Sequence, residues 1–590
     1  MKRLLPFILA LLLLPSLAHA AYPADAIPTD FKLWWDVPVR AYTGVKLNTR
    51  LTYYEIDNRG VVWSMTGAPS GLTLSANGTI NWESPAAGTY AGIVVTITRS
   101  TCNSTDFPGC SLTASQTFTL AVGTSDFVFV DDTGTDNAGC STLASPCATL
   151  SYAVANKISG TDGKTIYMRA GAYTDSFTGG GSGIFGAAFT AADYVEIAAY
   201  PDEAVTINAA AGAGIYLSSS ANYALVRNVT VHGSTASERG NFVAQGNNVI
   251  IKDVISYGAS WTGNDNLTGI QLSGSDDVVI NRAVSYSTST GIGNQFNVSN
   301  FLSYNNTAGT RWLINSKAYS GNINYKIKHT NADNSRTIFH NLEGHSTGAA
   351  YYNFSGFGKN SSLRYAVFYN GSANIVNLGQ TDPSAYTTQG MLIEHVTLTG
   401  ASTANSNVWI DNSYGNVGTV TLRRNLFFQN NGACVAGNPD SSNRKVMLVA
   451  WYYTAQATAD DYPISSNYNI WYNSAGDTDC FHLGNTGAPA PTNLAGWRAF
   501  SGSTRDPNSS LLDPGLNNVA TGDLTITSAD NAATQCGSGE YCGAFKPDKS
   551  YGTVGASNTT LLDWGVDDSI AGTNTTSGIT AIRKFFRGGR

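Results

Sequence analysis

The chain has 590 residues, with 34 Lys and Arg against 41 Asp and Glu, a net charge of −7 and only 13% of its residues charged. Broad phosphate-backbone binding needs a surplus of Lys and Arg on one face, so this balance argues against nucleic acid as a partner. The length exceeds what one hydrophobic core usually serves and calls for several domains or a repeat architecture.

At the start, Lys2 and Arg3 precede an apolar run from Leu4 to Leu17, and a small-residue site follows at Ala18-His19-Ala20. That order predicts a secretory signal peptide over residues 1–20 and a secreted, cell-surface or periplasmic location. No later stretch approaches the ~20 continuous apolar residues of a membrane helix, so no transmembrane segment is expected after signal removal. The cysteines fall into close pairs: Cys102 with Cys110, Cys140 with Cys147, Cys434 with Cys480, and Cys536 with Cys542. An even count in an exported chain predicts disulfides; zinc is the alternative, but the paired close spacings of structural zinc sites are missing.

Residues 21–123 alternate apolar and polar positions between Gly, Pro and Asn turns, which predicts short antiparallel strands and a small β-sandwich. Trp63, Gly67, Pro69, Gly71, Leu72, Leu74, Gly78, Ile80, Pro85, Gly88 and Tyr90 carry a resemblance to immunoglobulin-like modules found beside bacterial surface and carbohydrate-active domains. Such modules are mostly spacers or weak binders, and the Gly-Thr-Ser junction near residue 123 predicts that this one is separable from the rest of the chain.

Residues 124–546 open with a strand, a turn, one helical segment and a second strand. Within Ala148 to Lys157, Leu150, Ala153 and Val154 stand at i, i+3 and i+4 and form one apolar stripe able to cover the end of a larger body. A short strand signature then recurs around Asn228, Asp253, Arg282 and Asn300, and again around Asn341, His395 and Asn425. Several spacings are about 25 to 30 residues, the period of a stacked unit. Each copy alternates apolar and polar residues, which predicts one face toward a continuous core and one toward solvent. The Asn and Asp that end the apolar pairs suit turns stacked on their neighbours.

The opening segment, through its strand from Ile166 to Tyr173, resembles the N-terminal cap of right-handed parallel β-helix proteins of the pectate-lyase-like superfamily. The resemblance implies an all-β chain, with a right-handed parallel β-helix behind the immunoglobulin-like sandwich. A solenoid fills each coil with its own inward side chains, so function belongs on an outer face or between loops. Residues 547–590 are rich in Gly, Ser and Thr, lack periodicity and read as a tail or attachment segment.

Between Arg282 and Asn341 the chain carries Arg282, Arg311, Lys317, Lys326, Lys328 and Arg336 but a single acid, Asp333, and three of its seven histidines, His329, His340 and His345, lie in or beside this stretch. A strand over 322–329 would put Lys326 and Lys328 on one face, roughly 6 to 7 Å apart, with Tyr325, Ile327 and His329 on the other. Two like charges at that distance suit an anion, and an acidic extracellular polysaccharide is the partner expected. Abstracting the C5 proton of a uronate needs a cation at the carboxylate, a base at C5 and help at the leaving oxygen. A desolvated Lys beside another cation can serve as base and a permanently charged Arg as neutraliser.

"YKIKHTNADNSRTIFHN" resembles a strand of alginate-lyase and chondroitinase-B-like enzymes, and the resemblance implies Lys328 as base. Lys326, Arg336 and His340 complete the candidate catalytic set, Arg311, Trp312 and His345 are candidate substrate contacts, and Glu343 is the candidate ligand for the calcium such enzymes use. Trp261, Tyr286, Tyr351 and Tyr352 could stack on sugars or pack loops. Two other readings stay open. Exposed strand Lys, Arg and His are usually solvated surface, which fits a non-catalytic adhesin or envelope protein. Asp276-Asp277, with Asp265, resembles the aspartates of polygalacturonases, although that family's Gly-His-Gly motif is missing.

Overall fold

The computed structural model describes most of residues 31–258 and, beyond them, chiefly the strands of a solenoid as far as Ile526; residues 1–28, 57–60, 101–109 and 527–590 lie outside the described residues, as do many connecting loops. The signal-peptide expectation, the tail, and Cys102, Cys434, Cys536 and Cys542 fall on that remainder. Cys140 and Cys147 form a disulfide with an S–S distance of 2.07 Å, and Cys110 and Cys480 are also in disulfide form. Among the described residues no helix is long and apolar enough to cross a membrane.

The N-terminal part is a small β-sandwich. One sheet joins Arg40–Tyr42, Thr113–Gly123, Gly88–Thr98 and Val62–Thr66; the other joins Leu47–Arg50, Thr79–Trp82 and Thr73–Leu74. Alternate residues of both sheets, among them Leu47, Ile80, Trp82, Ile93, Val95, Phe118 and Leu120, meet in one core. Gly78 has φ +82°, and a Cβ there would stand 2.4 Å from the Trp63 ring, so glycine is required both by the turn and by the indole.

The solenoid is a parallel β-helix. Strands from successive coils pair in parallel over two long sheets, one of 20 strands and one of 11. Two strands of each coil lie in the larger sheet and meet at a single bend residue; the third lies in the smaller sheet. Asn228, Asp253, Arg282, Asn315, Asn341, Tyr365, His395, Arg424 and Tyr468 occupy the bends, all with φ between 50 and 57°. This left-handed conformation is costly for most residues and least so for Asn and Asp. The bends also bond to one another, Asn341 Nδ2 donating to Asn315 Oδ1 at 2.7 Å and Arg282 Nε to Asp253 Oδ1 at 2.6 Å, while Asn315 Nδ2 donates to Oδ1 of Asn281, just ahead of the bend at Arg282, at 2.8 Å.

The recurring signature therefore marks bends at Asn228, Asp253, Arg282, Asn341 and His395. Asn300 belongs instead to the strand Ser299–Asn305 of the smaller sheet, and Asn425 follows the bend at Arg424. Asn425 faces inward, fully buried, and its Nδ2 donates to Asn469 Oδ1 of the next coil at 3.0 Å.

Both ends are closed. Helix α1, Leu150–Lys157, is capped by Thr149, which accepts from the Tyr152 N–H, and buries Leu150, Ala153 and Val154 on the first coils. Helix α2, Leu494–Phe500, brings Trp497 against Phe481, ring centroids 6.0 Å apart, while its Nε1 donates to Asp506 Oδ2 at 2.6 Å.

The expectation of a solvated outer face fails on one side of the larger sheet. Leu225, Ile250, Val279, Trp312 and Ile338 form consecutive outward rungs, and all are buried against Trp34, Trp35, Val39, Tyr54 and Ile56 of the sandwich. Each such side chain contributes about 1.5–3 kcal/mol when buried, so the sandwich is a lateral wall of the solenoid and not a spacer.

Candidate functional site

The cations between Arg282 and His345 do not form one patch. Arg282 binds Asp253 bidentately, and its Nη2 donates to the Arg50 carbonyl at 3.0 Å. Lys317 Nζ lies 2.9 Å from Glu343 Oε2, with the two side chains 2 and 13% exposed. A short count of acids along the chain missed both partners because each comes from a neighbouring coil outside the counted stretch.

Strand parity places the remaining candidates. Trp312 is an outward rung, so Arg311 points the other way and is fully buried, between Val278 and Thr337 in the ladder. It cannot touch a polymer. Trp312 packs edge-on to Trp34 and Tyr54 at 5.3 and 5.1 Å, and its Nε1 donates to Asp277 Oδ1 at 3.1 Å. Asp277 in turn holds Lys32 Nζ at 2.7 Å, a contact that ties sandwich to solenoid. The carboxylate considered for hydrolysis is thus an interface residue; Asp265 and Asp276 lie outside the described residues.

His340 is also withdrawn. It is 3% exposed, with its ring 4.8 Å from Tyr54 and 5.3 Å from Tyr365. Burial, with the Arg364 guanidinium beside it, pushes its pKa well below the ordinary histidine value. A neutral, covered imidazole cannot protonate a leaving group of a bound sugar chain. Arg311, Trp312 and His340 are accordingly corrected from substrate or catalytic contacts to buried structural residues. Glu343, the candidate metal ligand, holds Lys317 Nζ at 2.9 Å from its Oε2. Among the described residues the one group of metal-type ligands is Asp136 with Cys140 and Cys147, whose sulfurs are joined to each other.

Lys326 and Lys328 remain on the smaller sheet. The strand Ile323–His329 buries Tyr325 and Ile327 in the core, so Lys326, between them, stands on the outer side, mostly covered. Its ladder neighbours are Leu302 and Ser355, and Tyr304 stands opposite Lys328. The Lys328 and His345 side chains lie outside the described residues. Arg336 is half-buried and donates from Nε to Thr310 Oγ1 at 3.1 Å.

A row that sequence reasoning missed runs along the second arm of the larger sheet. The His232, Tyr257 and Tyr286 rings stack in parallel, centroids 4.8 and 5.2 Å apart, all half-buried on the outer side. The same register continues through Tyr319, His345 and Tyr369. Each of these residues is the fourth after its bend residue, a phase that aligning the copies on Asn228, Asp253 and Arg282 would have revealed. Because the ring faces cover one another, the row offers edges and polar tips to solvent.

No known protein family and no curated protein matches the sequence. Among solved structures, a pectate lyase, Pel9A, matches at 14% identity over 59% of this chain and 80% of that one, with a TM-score of 0.29. That likeness concerns the β-helical fold alone, and the fold assignment rests on the parallel ladders themselves.

Proposed function

We propose that this is an exported protein that engages an acidic extracellular polysaccharide along the outer side of the smaller sheet, with Lys326 and Lys328 meeting the polymer's carboxylates. The observation that carries this reading is the strand Ile323–His329: Tyr325 and Ile327 fill the core, which puts Lys326 on the outer side, and Lys328 stands two residues further along the same strand. In its finer form the reading is β-elimination of a uronate, with Lys328 as the base at C5 and Lys326 neutralising the carboxylate.

The burial of His340 favours a second reading, a binder without catalysis, because it removes the imidazole from the candidate catalytic set. A panel of acidic and neutral polysaccharides, read by absorbance of the unsaturated product and by retention on immobilised polymer, separates the two. Unsaturated product from a uronate polymer supports elimination. Retention without product supports the binder, and neither on any acidic polymer contradicts both.

A further inference from the structure

The wall between sandwich and solenoid is crossed by a row of cations, one from each of several coils. Arg227 Nη1 donates to the Asn48 carbonyl at 3.1 Å, Arg282 to the Arg50 and Leu51 carbonyls, and Arg364 Nη1 to the Ile56 carbonyl at 2.7 Å. These guanidiniums meet backbone oxygens. Lys252, at the same ladder position as Arg227 one coil on, meets a carboxylate of the sandwich as well as a backbone oxygen: its Nζ lies 2.7 Å from Asp36 Oδ2, with both side chains 0% exposed. Arginine would make the stronger fixed ion pair there, as it does against Glu196 and Glu394. Lysine differs in one relevant property, that it can lose its proton and become a nucleophile.

We propose that Lys252 and Asp36 condense to an amide that joins the N-terminal sandwich covalently to the solenoid. One proton passes across the 2.7 Å contact, converting ammonium and carboxylate to amine and carboxylic acid. The Nζ lone pair then attacks Asp36 Cγ, the N–C bond forms, and the Cγ–Oδ2 bond breaks. Oδ2 leaves as water with one proton from the acid and one from the amine, so the balance needs no other reactant. The Thr52 N–H already donates to Asp36 Oδ1 at 3.2 Å, the oxygen on which charge develops in the tetrahedral intermediate. Thr49 Oγ1 and the Arg50 carbonyl accept from Nζ at 3.2 and 2.8 Å and hold it in place. The dry surroundings exclude the water that would reverse the reaction. Burial, the largest influence, lowers the Lys252 pKa in the required direction against the opposing pull of Asp36.

The interface supplies its own control. Lys32 and Asp277 are also 2.7 Å apart, but their side chains are 29 and 27% exposed. Water reaches that pair, which remains an ordinary salt bridge. The test is peptide mapping of the full chain by mass spectrometry after reduction of its disulfides. The expected result is a linked peptide pair carrying Asp36 and Lys252 at the sum of their masses less one water, with Lys32 and Asp277 recovered unlinked. A Lys252→Arg chain should yield the Asp36 peptide alone. Recovery of the wild-type Asp36 and Lys252 peptides separately, at unmodified masses, overturns the proposal, as does a linked mass that survives Lys252→Arg.

Discussion

His340 and His395 show what burial does to a single residue in this fold. His395 sits at a bend with its ring stacked on Tyr365, and burial pushes its pKa down to about 3, with the Glu394 carboxylate opposing. His340 is shifted in the same direction. A folded state that resists protonation loses stability to an unfolded state that accepts it. The contribution of each histidine is therefore complete above its unfolded pKa of about 6.5 and declines as pH falls toward the folded value, by about 1.4 kcal/mol per pH unit and per group. His340→Phe keeps a ring between Tyr54 and Tyr365 but cannot titrate. Denaturant melts between pH 7 and 4 should show a shallower loss of stability in this variant than in the wild type; identical slopes would mean that His340 is open to water. Glu394 is lowered as well, for a different reason: burial alone would raise its carboxyl, but Arg423, Arg364 and Arg424 hold it well below the usual range. Its contribution is complete above the unfolded glutamate pKa of about 4.3 and declines as pH falls below that value.

At the scale of elements, the bend is the unit that holds coil to coil. Asn315 combines a left-handed backbone with side-chain bonds to Asn281 and Asn341. Asn315→Ala should cost about 1–3 kcal/mol from backbone strain and lost hydrogen bonds, and Asn315→Gly should recover only the backbone share. Chemical denaturation of the three proteins checks the order wild type, glycine, alanine; alanine as stable as the wild type would contradict the ladder. These bends were legible because Asn228, Asp253 and Asn341 stand at a repeating distance in similar local sequence. Sidedness was less so. Arg311, Trp312 and His340 look alike from their neighbours, and only pairing with Val278, Val279 and Ile314 fixes which point inward and which meet the sandwich. One signal was present and misread: "ALVR", "VIIK" and "VVIN" lack the polar alternation of a wet face, as expected where both faces of a parallel sheet are covered.

For the molecule as a whole, the shared core means that sandwich and solenoid should unfold together. Heating should give one cooperative transition, and a chain lacking residues 21–123 should aggregate, since it would expose Leu225, Ile250, Val279, Trp312 and Ile338 as one apolar stripe. A soluble, independently melting solenoid would contradict the lateral-wall role. The sandwich was legible as a fold from its turn glycines and alternating strands. Its docking was not, because nothing local in "LWWDV" states that Trp34, Trp35 and Asp36 face a partner some 200 residues away. The same long-range pairing removed Trp312 and His340 from the candidate site and left the smaller sheet as its remaining place. Binding of an acidic polymer to this outer side is tested most directly by the affinity of a uronate polysaccharide for Lys326→Ala/Lys328→Ala beside the wild type, with thermal melts run on both. Loss of two charge contacts should weaken binding by about tenfold or more with the melting temperature nearly unchanged; unaltered affinity in a folded double variant would contradict it.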